Sequence, residues 1–118
     1  MKYVILIYSN PATWAALPAE EADRVIGDHF AMIRELKASG ELVTQFGLAD
    51  GSTAKLVHNV SGAAAVTDGP FGEAKEQLLG LFVVDVESEA RAVEVSTPLS
   101  QHAVVEIRPL MIEAGSEM

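Results

Sequence analysis

The chain of 118 residues contains no cysteine. That excludes disulfides, thiolate nucleophiles and thiolate metal sites, and it leaves the redox compartment open. Basic residues are scarce: 8 Lys and Arg stand against 17 Asp and Glu, for a net charge of −9. Such a balance repels a phosphate backbone and offers no basic patch, so no nucleic-acid partner is expected. The longest apolar runs, Tyr3–Tyr8 and Leu78–Val84, fall far short of the roughly 20 residues a membrane-spanning helix requires. No membrane partner is expected. Met1-Lys2 leads straight into a strand-like run with no small-residue cleavage site behind it. This is not the pattern of a secretory leader, and the expected location is the cytoplasm. His29, His58 and His102 stand apart and form no ligand array. The expectation is therefore no metal and no cofactor.

What is present is an ordinary globular composition, 49% hydrophobic and 21% charged, which argues against disorder. The length suits a single domain, read here as residues 1–112 with a polar tail at 113–118. Lys2–Tyr8 is apolar on both alternating faces and predicts a strand covered on both sides. Asn10-Pro11 ends it, and an irregular piece carrying Trp14 follows. Leu17-Pro18-Ala19-Glu20-Glu21 suits a helix start. That helix should run to about Ala38 and stop at Ser39-Gly40, with Gly40 left-handed. Ala22, Ile26, His29, Ile33 and Leu36 fall within an arc of roughly 80° at about 100° per residue. His29 lies in the middle of that apolar stripe.

Glu41–Leu48 and Thr53–Val60 alternate as strands, and Ser61-Gly62 makes a tight turn into Ala63–Val66. Leu78–Val86 is again apolar on both faces. Ser88 caps a short helix over Glu89–Ser96, Pro98 closes it, and Ala103–Pro109 is the last strand. The order predicts an α+β fold, a ferredoxin-like βαββαβ plan with an extra hairpin strand. In that plan the first strand and the strand before the second helix are central, and these are the two runs apolar on both faces. Two helices cover only one face of such a sheet. The other face, burying about 25 cal/mol per Å² when covered, predicts a homodimer or higher self-assembly.

The chemistry-bearing candidates gather around "TDGPFGEAKEQ", Thr67–Gln77. Asp68-Gly69-Pro70 is turn chemistry in its own right. Phe71 would pin the loop, and an oriented Asp68 carboxylate on a pinned loop would make a binding rim. Lys75, between Glu73 and Glu76, is either a solvated residue with weak ion pairs or the cation that attracts an anionic ligand. His29 packs as a neutral core histidine or, with an oriented ring, moves a proton near neutral pH. Trp14 covers a cleft mouth or simply packs. Arg108 shares a strand face with Glu106, as an ion pair or as a ligand contact. His58 and His102 are taken as structural or exposed.

The string Asp-Gly-Pro-Phe-x-Glu-x-Lys-Glu-Gln, with "MKYVILIY", "HFAMIREL" and "VVEIRPL", resembles the YCII-related family, and in particular its DGPF branch, over the chain to about Met111. The resemblance implies a ferredoxin-like fold assembled as a dimeric α+β barrel, with a cleft histidine matching His29 as the catalytic residue. In YCII-like relatives that histidine is associated with an aspartate late in the chain. Here Ser96–Gln101 holds none. Asp68 as a substitute partner is a reading from this chain alone.

One such relative is a dehydrochlorinase acting on a chlorinated hydroxyquinol. Many DGPF-branch proteins are encoded beside extracytoplasmic-function sigma factors. Three readings follow. One is a cofactor-independent lyase or isomerase on a small anionic or aromatic ligand, with catalytic His29 and Asp68 and ligand contacts from Lys75, Phe71, Trp14 and Arg108. The others are a regulatory ligand-binding module linked to a sigma factor, and a structural dimer.

Overall fold

A computed structural model describes residues 1–70 and 76–111. The elements are β1 (Lys2–Ser9), α1 (Pro11–Ala15), α2 (Ala19–Ser39), β2 (Leu42–Gly47), β3 (Lys55–Val60), β4 (Ala63–Asp68), β5 (Gln77–Asp85), α3 (Glu89–Ser96) and β6 (Val104–Pro109). Single 3₁₀ turns span Gly51–Thr53 and Thr97–Gln101. The main sheet is antiparallel in the order β2-β5-β1-β6, and β3 and β4 form a separate hairpin. This is the α+β, ferredoxin-like plan that the apolar patterning predicts. The central strands β1 and β5 are the two runs without a polar face.

Alternation decides what each face of β1 does. Tyr3, Ile5, Ile7 and Ser9 are buried under the helices, and Lys2, Val4, Leu6 and Tyr8 are half-buried on the opposite face. On the helix side Ile5, Phe82, Val84 and Leu36 are almost fully enclosed and centre the core. Each such side chain contributes about 1.5–3 kcal/mol on burial. On the open side Leu6 pairs with Leu81, Val4 with Val83, and Leu81 in turn with Phe46. The result is a contiguous apolar strip that no helix covers.

Helix α2 follows its signals. Glu20 and Glu21 sit in the first turn, Lys37 in the last, and Gly40 takes φ 78° while Glu41 N–H returns to the Leu36 carbonyl at 2.9 Å. Its buried stripe is not centred where the sequence periodicity put it. Met32 and Leu36 are buried, Ile33 is partly so, and Ile26 is 44% exposed. The buried centre is rotated by roughly 60° toward Met32 at about 100° per residue. Only the C-terminal half of α2 packs on the sheet centre, and the N-terminal half fronts a cavity. The stretch around Trp14 also differs from expectation. Asn10 accepts a hydrogen bond from Ala12 N–H at 2.9 Å and caps a five-residue helix with Pro11 in its first turn.

Two local devices shape the sheet. Ser61 and Gly62 both take positive φ, 52° and 87°, as a two-residue hairpin turn between β3 and β4 requires. Gly80 lies where β2 crosses β5 so closely that a Cβ would collide with the Phe46 carbonyl oxygen. That contact holds β2 against β5 at the end of the sheet where the cavity opens. A further tie comes from α3, where Arg91 reaches Glu41 at 2.8 Å and also engages Glu35 and Glu94. The start of β2, the end of α2 and α3 are thereby clamped together. The polar tail read at 113–118 lies outside the described residues. Among the described residues no helix is long and apolar enough to cross a membrane.

Candidate functional site

The N-terminal half of α2 stands away from the sheet, and a cavity of about 640 Å³ lies beneath it. Ile7 and Ser9 of β1 and Leu78 and Leu79 of β5 contribute the sheet side. Val25, Ile26, His29 and Phe30 contribute the helix side, and Trp14 of α1 stands at the margin. The Gly47–Gly51 segment after β2 closes one end, and Leu99, His102 and Ala103 close another. The volume suits a small molecule, and the predominance of apolar side chains with a few polar groups is the usual make-up of a ligand site.

His29 is half-buried in this wall. Its ring meets Phe82 at a centroid distance of 5.4 Å and Phe30 at 6.0 Å, edge to face in the second case. Burial beside these rings disfavours the charged imidazolium and holds the His29 pKa below its ordinary value. No side chain among the described residues hydrogen-bonds to it, so both ring nitrogens are free to engage a ligand as donor or acceptor.

His102 is the second imidazole of the cavity. Its Nε2 lies 3.3 Å from a carboxylate oxygen of Glu21, which also holds Arg24 at 3.1 Å. Glu21 does not line the cavity, so His102 lines the cavity while its Nε2 lies beside a carboxylate outside it. Asp50 lines the cavity too, but its carboxylate accepts the Ser52 N–H at 2.8 Å, which holds its pKa below the ordinary carboxylate value. Among the described lining residues there is neither lysine nor arginine. Nor do three or more His, Asp or Glu converge anywhere in the described residues in a way that could hold a metal ion.

The residues singled out from the sequence separate into three places. His29 and Trp14 share the cavity. Asp68 ends β4, opposite Lys55 in register, and its carboxylate pairs with the Lys55 ammonium instead of His29. Among the described residues the fold does not bring His29 and Asp68 into a dyad. Arg108 lies on the open side of the sheet, opposite Val4, where Glu106 takes its hydrogen bond from Tyr8 Oη at 3.1 Å. Phe71 and Lys75 lie outside the described residues.

The polar cavity residues missed by sequence reasoning are Ser9, Asp50, Gln77 and His102. Ser9 carried a signal: it continues the inward set of Tyr3, Ile5 and Ile7 by one more step of two. His102 carried none, because its neighbour Glu21 lies about eighty positions earlier in the chain.

Residues 1–113 match the model of the YCII-related domain, and the chain belongs to that family. It is also 32% identical over 122 residues to an uncharacterized protein of Rhizobium meliloti (strain 1021), covering 100% of this chain and 98% of that protein.

Proposed function

We propose that this YCII-related protein binds a small, mostly apolar molecule in the cavity and transfers a proton of that molecule at His29, without a cofactor. One observation carries the reading: His29 is a half-buried ionisable group in a largely apolar wall, with a pKa lowered by burial and, unlike His102 and Asp50, no competing partner among the described residues. A neutral imidazole of this kind accepts a proton from an acidic C–H or O–H at neutral pH. His102, beside Glu21, stands in the same cavity as a second polar group to orient the ligand.

The test is exchange of ligand C–H for deuterium in D₂O, followed by NMR across a set of small ring compounds bearing acidic C–H groups. The protein should catalyse exchange for the compounds it binds, and His29→Gln should abolish exchange while the fold persists. Undiminished exchange in His29→Gln overturns the proton-transfer role.

A second reading, a regulatory module that binds its ligand without turning it over, is favoured by a different observation. Asp68 is engaged with Lys55, and no hydrogen-bond partner among the described residues fixes the tautomer of His29. Proton-transfer sites ordinarily fix the tautomer of their histidine through such a partner. Ligand binding with no exchange, together with co-purification of a sigma factor, supports this reading over the first.

Self-association completes the proposal. The uncovered strip through Val4, Leu6, Leu81 and Phe46, with Phe46 56% exposed, is the surface a second copy would bury. The hairpin adds the cross-strand pair Val57 and Val66, 71% and 66% exposed. Two copies stacking these open sheet faces make an isologous dimer, and each subunit then keeps its own cavity on the helix side.

A further inference from the structure

Ser9 is the last residue of β1 and continues the inward-facing set into the wall of the cavity. It is 5% exposed, and its hydroxyl makes no hydrogen bond among the described residues. Ser96, the other buried serine, follows the common rule: its hydroxyl donates to the Ala92 carbonyl at 2.8 Å. A hydroxyl on so enclosed a residue, with a little access and no protein partner among the described residues, is satisfied only by what occupies the cavity, water or a ligand. The small access that Ser9 Oγ keeps opens into the cavity, because no buried side-chain oxygen or nitrogen of the described residues is wholly cut off without a partner.

The charge of the lining narrows the chemistry further. No lysine or arginine faces the cavity among the described residues, and Asp50, with its carboxylate taken by Ser52, adds negative charge at the margin. Among the described lining residues an anionic ligand would lose its hydration without a permanent countercharge. An uncharged acceptor meets no such cost. We infer that Ser9 is a ligand-binding residue whose hydroxyl donates to an uncharged acceptor, a carbonyl or ether oxygen, on an otherwise apolar ligand. This rests on the reading of the cavity as a small-molecule site and adds the ligand's class, which the sequence left as anionic or aromatic.

Three probes of similar shape separate the possibilities: acetophenone, ethylbenzene and benzoate. Each is titrated into the full chain and followed by amide chemical shifts in ¹H–¹⁵N NMR spectra, for the wild type and for Ser9→Ala. Acetophenone should bind at the cavity and more tightly than either of the others. Ser9→Ala should weaken acetophenone by about 5- to 10-fold, the span of one neutral hydrogen bond, and leave ethylbenzene unchanged. The melting temperature of Ser9→Ala should hold or rise, since no hydrogen bond among the described residues is lost.

Equal affinity of wild type and Ser9→Ala for acetophenone overturns the Ser9 inference and leaves the cavity as a ligand site. So does preferential binding of benzoate, and so does a Ser9→Ala melting temperature lower by several degrees, which would mean that the hydroxyl is satisfied within the fold. Absence of shifts at cavity residues with all three probes overturns the cavity reading itself, and the inference with it.

Discussion

The ring of His29 packs 5.4 Å from that of Phe82, with 57° between their planes. Phe82 is one of the most enclosed side chains of the core. The contact therefore joins the innermost part of the sheet to the wall of the cavity, and it explains why His29 resists protonation. One side of the imidazole is turned to an apolar ring, while the remainder of the ring looks into the cavity.

A pH dependence follows from that contact. In the unfolded chain His29 titrates near the ordinary value of 6.5, and in the folded protein it titrates lower because of burial. Between those two values the unfolded chain binds more protons, so stability falls as the pH drops below about 6.5. Melting temperatures of wild type and His29→Gln should run parallel above pH 7. Below about 6.5 the wild type should lose more than the variant. Parallel curves down to pH 5 would mean that the imidazole is effectively solvated in the fold.

The Arg91 clamp gives a second, separate pH window. Glu41 is held below its ordinary value of 4.5, first by the hydrogen bonds from Arg91 and then by that from the Ser39 hydroxyl. Its contribution is complete above about pH 4.5 and is lost as the pH falls through the lower folded value. Glu41→Gln should cost about 1–2 kcal/mol at pH 7, measured by urea unfolding. The difference from wild type should shrink below pH 4. A constant difference across that range would show that the cost arises from packing and not from charge.

The open sheet face offers a test of assembly. Leu6→Glu places a carboxylate in the middle of the strip between Leu81 and Glu106. Light scattering after size exclusion should show a dimer for the wild type at micromolar concentration and a monomer for Leu6→Glu, with unchanged helix content by circular dichroism. A wild type that is monomeric at that concentration would remove the proposed use of this face.

Much of the fold was legible in the sequence, for a local reason. Strand and helix identities follow from spacing at periods of 2 and 3.6, and the two runs apolar on both faces identified the central strands before any coordinates. Ser88 as the cap of α3 and Gly40 as the left-handed end of α2 were legible too, because each depends on one side chain and its adjacent backbone. The rotation of α2 was not. Periodicity shows that a stripe exists, whereas its centre is set by where the helix touches the sheet, and α2 touches it only through its second half. Trp14 and His29 were singled out and share the cavity. The pairing of His29 with Asp68 failed because the β3–β4 hairpin sets Asp68 opposite Lys55, a matter of register between strands and not of proximity in the chain.

From the chain alone came the antiparallel α+β architecture, the excess of sheet surface over helix and the histidine on the long helix, since each is a property of short-range pattern and composition. Tertiary structure alone decided which polar groups meet in the cavity: Ser9 at the end of β1, Gln77 opposite it on β5, His29 on α2, Asp50 after β2, and His102, which lies beside Glu21 across about eighty residues of sequence. The reason is geometric. A site assembled from the ends of several elements depends on where the helix leaves the sheet, and that separation follows from the packing of Met32, Leu36 and Phe82 in three dimensions.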